Sequence, residues 1–206
     1  VAYSSTQFGG DITDWYTEQI QLDENGVPSA SYFQGAWKPL IAEEETYVVA
    51  NVPALGSEGR TEVWTRWTTF DGRWISGIEG EMVGASHDAG DGQSVVAMVG
   101  DFVVPGDTDG DGIVSGISFA YAGLTDGMDG AKLFQGWNVA ENVADYRDVQ
   151  RGAVATSLSW VAADSNGDVV YTPYQAIPCR DYLPRDADGV WLDGADPRLL
   201  LDGTTY

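Results

Sequence analysis

The chain has 206 residues, of which 43% are hydrophobic, so it can bury a core and wholesale disorder is not expected. Its 32 acidic residues outnumber its 10 basic ones, which gives a formal net charge of -22. A field of that sign repels phosphate backbones and anionic headgroups, so we expect neither nucleic acid nor membrane as a partner. The single cysteine, Cys179, excludes an internal disulfide.

The predicted elements begin with strands. Residues 1–6 form a strand pattern without a preceding cap or turn, so we expect the native chain to continue upstream. Residues 15–21 alternate and place Tyr16, Glu18 and Ile20 on one side of a strand. Asp71-Gly72 predicts the turn of a hairpin. The further strand-like segments are 30–33, 36–40, 44–49, 62–69, 73–75, 95–104 and 112–121.

Over residues 131–137 and 139–149 the apolar residues no longer alternate and instead follow the spacing of a helix. Val139, Val143, Tyr146 and Val149 fall on one face of the second helix, and Asn138 is its predicted N-cap. Strand patterns return at 158–163 and 169–171, which flank a turn at 164–168, and the chain is loop-like from Pro178 onward. The fold class is therefore α+β and β-rich, with antiparallel strands, hairpins and a short helical segment near 131–151. No linker divides the chain, so we predict one partial domain over residues 1–206.

Three acidic loops are candidate cation sites. Asp107, Asp109 and Asp111 stand at alternate positions before a glycine, as in the first half of an EF-hand loop, but the twelfth position is Ser118 instead of Glu. A polar hairpin loop is the alternative there. Asp11 and Asp14 can converge with a carbonyl between them, although the residues taken alone favour a solvated turn. For residues 164–168, the Asn-Gly pair favours a plain hairpin turn.

No catalytic nucleophile is evident from the residues alone. The one histidine, His87, lies in the sequence Ser86-His87-Asp88, whose adjacent side chains point apart and do not form a triad. Cys179 has no evident base. Phosphate loops, zinc clusters and the Gly-x-Ser-x-Gly elbow are also missing. The residues by themselves indicate an acidic β-rich domain with candidate calcium loops.

Several segments in one order resemble the penicillin acylases, a family of N-terminal nucleophile hydrolases. Residues 1–6, followed by Asp11 and Asp14, resemble that family's strand and its Asp-x-x-Asp loop. Residues 160–171 are similar to its Tyr-Ala-Asp-x-x-Gly-Asn-Ile-x-Tyr hairpin. The remaining matches are Trp37 with residues 44–49 and Ile177-Pro178-Cys179-Arg180, which corresponds to the family's x-Pro-x-Arg. Residues 76–116 match poorly.

The resemblance implies an internal segment of the catalytic β subunit of an αββα hydrolase that cleaves acyl amides. The family's nucleophile, usually an N-terminal Ser with its own amine as base, is absent because Val1 has no nucleophilic atom, so this chain alone is expected to be inactive. Gln7 would supply a backbone N–H to the oxyanion hole. Asp11, the Thr13 carbonyl, Asp14 and Pro184 would hold a structural Ca²⁺.

Partners follow from the same resemblance. They are the nucleophile-bearing segment and the α subunit of the parent enzyme, together with a small acyl amide substrate, in a periplasmic or secreted protein. The alternative is a non-enzymatic, calcium-stabilised extracellular β-rich module.

Overall fold

The computed structural model describes residues 1–7, 9–121, 130–154 and 157–206. Their regular elements comprise strands, two α-helices and one 3-10 turn at Pro53–Leu55. The strands are β1 Ala2–Gln7, β2 Thr13–Leu22, β3 Pro28–Phe33, β4 Ala36–Pro39, β5 Ile41–Val49, β6 Arg60–Thr68, β7 Trp74–Ile78, β8 Gly80–Val83, β9 Val96–Met98, β10 Asp101–Pro105, β11 Ile113–Tyr121, β12 Leu158–Ala163, β13 Val169–Thr172 and β14 Leu200–Asp202. The helices are α1 Gly130–Val139 and α2 Val143–Gln150.

The strands form three sheets. The largest has eight strands in the order β4-β3-β2-β11-β7-β6-β5, with β14 paired to β2 in parallel. The two smaller sheets have three strands each, in the orders β1-β12-β13 and β8-β10-β9. Pairing within the smaller sheets is antiparallel, which agrees with the predicted hairpins.

The chain divides into two compact units. The first contains Val1–Asp14 and Tyr121–Asp181, and the second contains Trp15–Ala120 and Tyr182–Tyr206. The β1-β12-β13 sheet and both helices belong to the first unit, whose core lies around Trp137, Tyr146 and Trp160. Most of the large sheet belongs to the second unit, with a core around Ile20, Trp67 and Ile75. The assignment of residues 1–206 to one partial domain stays a prediction.

The alternation predicted for β2 is confirmed. Tyr16, Glu18 and Ile20 are buried, whereas the side chains between them are exposed. A strand directs successive side chains to opposite faces, so this pattern places one face of β2 against the core and the other toward water. Glu18 is unusual on this face, because it is an acidic residue whose side chain is buried.

The turn at Asp71-Gly72 is confirmed, but two other predictions for the second unit are wrong. Gly72 has φ 89° and joins β6 to β7, where Thr68 pairs with Trp74. Residues 95–104 are not one strand: Gly100, with φ 81°, turns the chain between β9 and β10, which pair with each other. The segment after Pro178 is not wholly loop-like, because it contains β14.

The helical segment is confirmed, but its predicted cap is wrong. Asn142 has extended backbone angles and caps α2 by accepting hydrogen bonds from Ala144 N and Asp145 N, both at 3.0 Å. Asn138 lies inside α1, where its backbone is already helical. Tyr146 is buried as predicted, whereas Val139 is exposed. In the part of the chain that the structure covers, neither helix is long and apolar enough to cross a membrane.

Gly80→Ala tests the close packing of β8 against β10. A methyl group at Gly80 would lie 2.2 Å from the Val104 carbonyl oxygen, so backbone must move to accept it. We expect a loss of about 1–3 kcal/mol of unfolding free energy, measured as a fall in melting temperature. Gly77→Ala is the matched control, because Gly77 also lies in a strand and its added methyl group meets nothing within 4 Å. Equal melting temperatures for the two variants would contradict this packing.

Candidate functional site

The end of β1 is the first part of the candidate site. Gln7 is the last residue of β1, is exposed, and lies opposite Leu158 of β12. Within the described residues, β1 pairs with β12 alone and forms the edge of its sheet. Successive N–H groups of an antiparallel strand point alternately toward its two edges. Some β1 amides therefore face β12, and the others face the side without a strand partner.

The loop after β1 is held by polar contacts within the first unit. Gly9 has φ 68°, a left-handed conformation that glycine adopts without strain. Ser157 donates a hydrogen bond from Oγ to the Gly10 carbonyl at 3.1 Å. These contacts tie the loop to the segment that enters β12, so the loop and β12 are positioned together.

Asp11 and Asp14 are brought together, and Arg180 bridges them. Its Nη2 lies 2.8 Å from Asp11 Oδ2 and 2.6 Å from Asp14 Oδ1. Its Nε lies 3.0 Å from Asp14 Oδ1 and 3.2 Å from Asp14 Oδ2. Asp14 is 2% exposed. Hydrogen bonding to Asp14, together with the charges of Asp14 and Asp11, raises the pKa of Arg180, so the guanidinium remains charged.

The residues predicted to hold calcium do not fit an ion in this arrangement. Two carboxylates are a suitable chemical set for Ca²⁺, but Asp11 Oδ2 and Asp14 Oδ1 are already bonded to Arg180. Thr13 is half-buried at the start of β2. Pro184 belongs to the second unit, where its carbonyl accepts a hydrogen bond from Leu192 N at 3.2 Å. Calcium binding by this set stays a prediction, and it would require Arg180 to leave.

The second candidate loop has its three carboxylates close together. One oxygen each from Asp107, Asp109 and Asp111 lies within 4.8 Å of the others. Asp107 also accepts hydrogen bonds from Gly110 N and Gly112 N, both at 2.9 Å, so its carboxylate organises the loop backbone. A cation here also stays a prediction.

The turn at residues 164–168 is a plain hairpin turn, as the Asn-Gly pair indicated. Asp164 accepts hydrogen bonds from Asn166 N at 2.9 Å and Asp168 N at 3.2 Å. It also accepts one from Val143 N at 3.2 Å, at the start of α2. Desolvation raises the pKa of Asp164, but these three backbone donors outweigh it and hold the pKa below its ordinary value. The side chain therefore fixes the hairpin against α2.

A buried polar cluster in the second unit was missed by the sequence analysis. Glu18 is 3% exposed, and its Oε1 accepts a hydrogen bond from Ser118 Oγ at 2.6 Å and lies 3.3 Å from Arg73 Nη1. Arg73 lies over the ring of Tyr16, with 4.5 Å between its Cζ and the ring centroid. A charged residue on the apolar side of β2 was the available signal, because a buried carboxylate needs a cation.

This cluster also explains the unusual twelfth position of the Asp107 loop. Ser118 is fully buried and donates a hydrogen bond from its hydroxyl to Glu18, so it is a structural donor in the core.

Arg73 borders a cavity of about 630 Å³ that is also lined by Tyr16, Phe33 and Tyr182. None of the residues predicted as ligands from the Asp107 loop lines that cavity.

Comparison with known proteins identifies the family. The sequence model of the penicillin amidase family matches residues 1–206, so the chain belongs to the penicillin amidase family. Penicillin G acylase of Escherichia coli is 24% identical over 205 residues, which are 99% of this chain and 18% of that protein. The structure of a thermostable penicillin G acylase from Alcaligenes faecalis matches with a TM-score of 0.50 at 19% identity, over 98% of this chain and 27% of that one.

These matches confirm the resemblance and the fold class, while individual site residues stay predictions. The structural match at 19% identity concerns the fold, which is β-rich with two short helices and antiparallel sheets. This chain spans less than a third of the length of either relative. The activity, substrates and partners of the whole protein are therefore matters for proposal.

Ser118→Ala tests the buried Glu18 cluster through its pH dependence. Burial raises the pKa of Glu18 above its ordinary 4.5, whereas Arg73 and the Ser118 hydroxyl oppose that shift. Stability linked to Glu18 is therefore complete below pH 4.5 and is lost as the pH rises through the folded-state pKa. Without the hydroxyl, that pKa rises further, and the carboxylate loses a hydrogen bond worth about 1–3 kcal/mol.

The expected result is a deficit in melting temperature that is small near pH 4.5 and grows toward pH 8. Ser115→Ala is the control, since Ser115 is an exposed residue of the same strand. A deficit in Ser118→Ala that does not change with pH would show that the hydroxyl does not act on an ionised Glu18.

Proposed function

We propose that this chain is a segment of a penicillin-acylase-type amidohydrolase and that it supplies part of the oxyanion hole. The observation that supports the proposal is the family match over the whole chain, together with the position of Gln7 at the end of an edge strand. The nucleophile, by family resemblance an N-terminal serine, lies outside these residues.

Gln7 would act through its backbone, so its side-chain type is not critical. An oxyanion donor must be fixed in direction before the reaction and must not be consumed by the sheet. The strand fixes the peptide plane, and half of the amides of an edge strand point away from the neighbouring strand. The proposal requires the Gln7 N–H to be one of these. The Ser157–Gly10 hydrogen bond holds the loop that follows.

The proposed reaction is acyl transfer to the serine oxygen. The α-amine takes the hydroxyl proton, the oxygen attacks the amide carbon, and the carbonyl oxygen gains a negative charge that the Gln7 N–H stabilises. The C–N bond then breaks, the amine leaves with the proton, and an ester remains on the enzyme. Water attacks the ester in the same geometry and releases the acid. No step requires calcium.

The wider setting is part of the same proposal. The substrate is a small acyl amide, and the partners are the nucleophile-bearing segment and the α subunit of the parent enzyme. By the same resemblance, we propose an exported enzyme, periplasmic or secreted. The formal charge of -22 is compatible with a neutral or cationic substrate and opposes the approach of strongly anionic ones.

Gln7→Pro, compared with Gln7→Ala, tests the donor in the full-length gene product. Proline has no N–H, so we expect kcat/KM to fall by about 10²–10³ because one oxyanion donor is lost. Alanine keeps the N–H, and we expect that variant to retain activity within a few-fold. Melting temperatures of both variants show whether either change unfolds the protein. A folded proline variant with unchanged kcat would remove Gln7 from the mechanism.

The 206-residue polypeptide by itself is expected to have no amidase activity. Val1 offers no hydroxyl or thiol, and an oxyanion donor without a nucleophile cannot form the acyl ester. The measurement is release of amine from a panel of chromogenic acyl amides, with the full-length gene product as the positive control. Saturable turnover by the pure polypeptide would contradict the assignment of the nucleophile to another segment.

A further inference from the structure

We infer that Arg180 is the resident cation of the Asp11–Asp14 loop and that it takes the position where the family resemblance predicts calcium. This inference concerns how the loop is stabilised, and it does not depend on the acylase activity proposed above. It rests on contacts among three side chains of the first compact unit.

The geometry is that of an arginine fork between two carboxylates. Nε and Nη2 contact both oxygens of Asp14, and Nη2 also reaches Asp11. Five fixed N–H groups make the guanidinium suited to this pattern, because it can donate in its own plane to two acceptors at once. The contacts lie between 2.6 and 3.2 Å, so all of them are within hydrogen-bond distance.

A calcium ion and this guanidinium exclude each other. Ca²⁺ binds carboxylate oxygens at about 2.3–2.6 Å and needs about six to eight oxygen ligands. An ion at that distance from Asp14 Oδ1 would share the oxygen with Nε and Nη2, which lie 3.0 and 2.6 Å away. A divalent and a monovalent cation would then be in contact at a buried carboxylate, and their repulsion is poorly screened there.

Burial shows why one of the two cations is required. Asp14 is 2% exposed, and the Arg180 side chain is 18% exposed, so water screens this pair only weakly. A buried carboxylate without a counter-charge is strongly destabilising. Asp11 is half exposed and needs the cation less. Arg180 therefore acts mainly on Asp14 and connects the loop after β1 to the segment after β13.

The experiment measures metal content and melting temperature of the full-length gene product. We expect mass spectrometry to find the same calcium content in the native protein and in Asp14→Asn. Chelator and millimolar Ca²⁺ should likewise change the melting temperatures of these two proteins by the same amount, if at all. Arg180→Gln should lower the melting temperature by a few degrees, since it leaves a buried charge unpaired. Arg180→Lys keeps the charge but not the forked hydrogen bonds, so its melting temperature should lie between those of the native protein and Arg180→Gln.

Two further variants make the result decisive. Asp14→Asn combined with Arg180→Gln should melt above Arg180→Gln alone, because the double variant removes both charges of the pair. Asp109→Asn removes a carboxylate from the other acidic loop, at residues 107–111. If this change abolishes a response to chelator, the calcium was bound at that loop and the inference stands. The inference would be overturned if chelator lowered the melting temperature of the native protein but not that of Asp14→Asn. It would also be overturned if the native protein contained calcium that Asp14→Asn lacks. The metal measurements on the native protein, Asp14→Asn and Asp109→Asn decide even if Arg180→Gln does not fold.

Discussion

The structure depends on the compensation of buried carboxylates by scarce cations. Asp14 and Glu18, both on β2, are 2% and 3% exposed, and each is paired with one arginine. Removing an ionised carboxylate from water costs several kcal/mol unless a counter-charge and hydrogen bonds replace the water. With 10 basic residues against 32 acidic ones, few cations are available for that role. Arg73 and Arg180 therefore constrain where β2 and the loop before it can lie.

Several of the remaining aspartates are accommodated by backbone donors at turns. Asp23, Asp107, Asp164 and Asp186 each accept hydrogen bonds from N–H groups a few residues further along the chain. An aspartate in such a turn satisfies amides that no strand partner reaches, and it remains hydrated. This use explains why alternate acidic residues followed by glycine resemble a calcium loop. The same residue types favour both structures, and the pattern alone does not separate them.

Local pattern predicted the strands and hairpins well, and its errors have physical causes. Alternation placed β2 correctly, and Asp71-Gly72 marked a real turn. The apolar run at residues 95–104 concealed the turn at Gly100, since a continuous apolar segment has no period that marks its break. β14 pairs in parallel with β2 from far along the chain, and such pairing leaves no signal in a local window. Asn138 and Asn142 are both possible caps, and only the actual end of α1 selects Asn142.

The sequence indicated a candidate site around Gln7, Asp11 and Asp14, whose roles stay predictions, but it did not indicate the contacts that these residues make. The backbone-donor role proposed for Gln7 has no side-chain signature, so only the order of several motifs indicated it. The x-Pro-x-Arg segment marked Arg180 without indicating its partners, because Asp11 and Asp14 approach it only through the fold. A bound ion would make the loop after β1 depend on ion concentration and on pH. The arginine inferred to take its place is part of the chain, so these contacts do not depend on ion concentration. On that inference the Asp11–Asp14 loop is fixed by folding itself, which suits the proposed role of Gln7, because an oxyanion donor must be fixed before the substrate arrives.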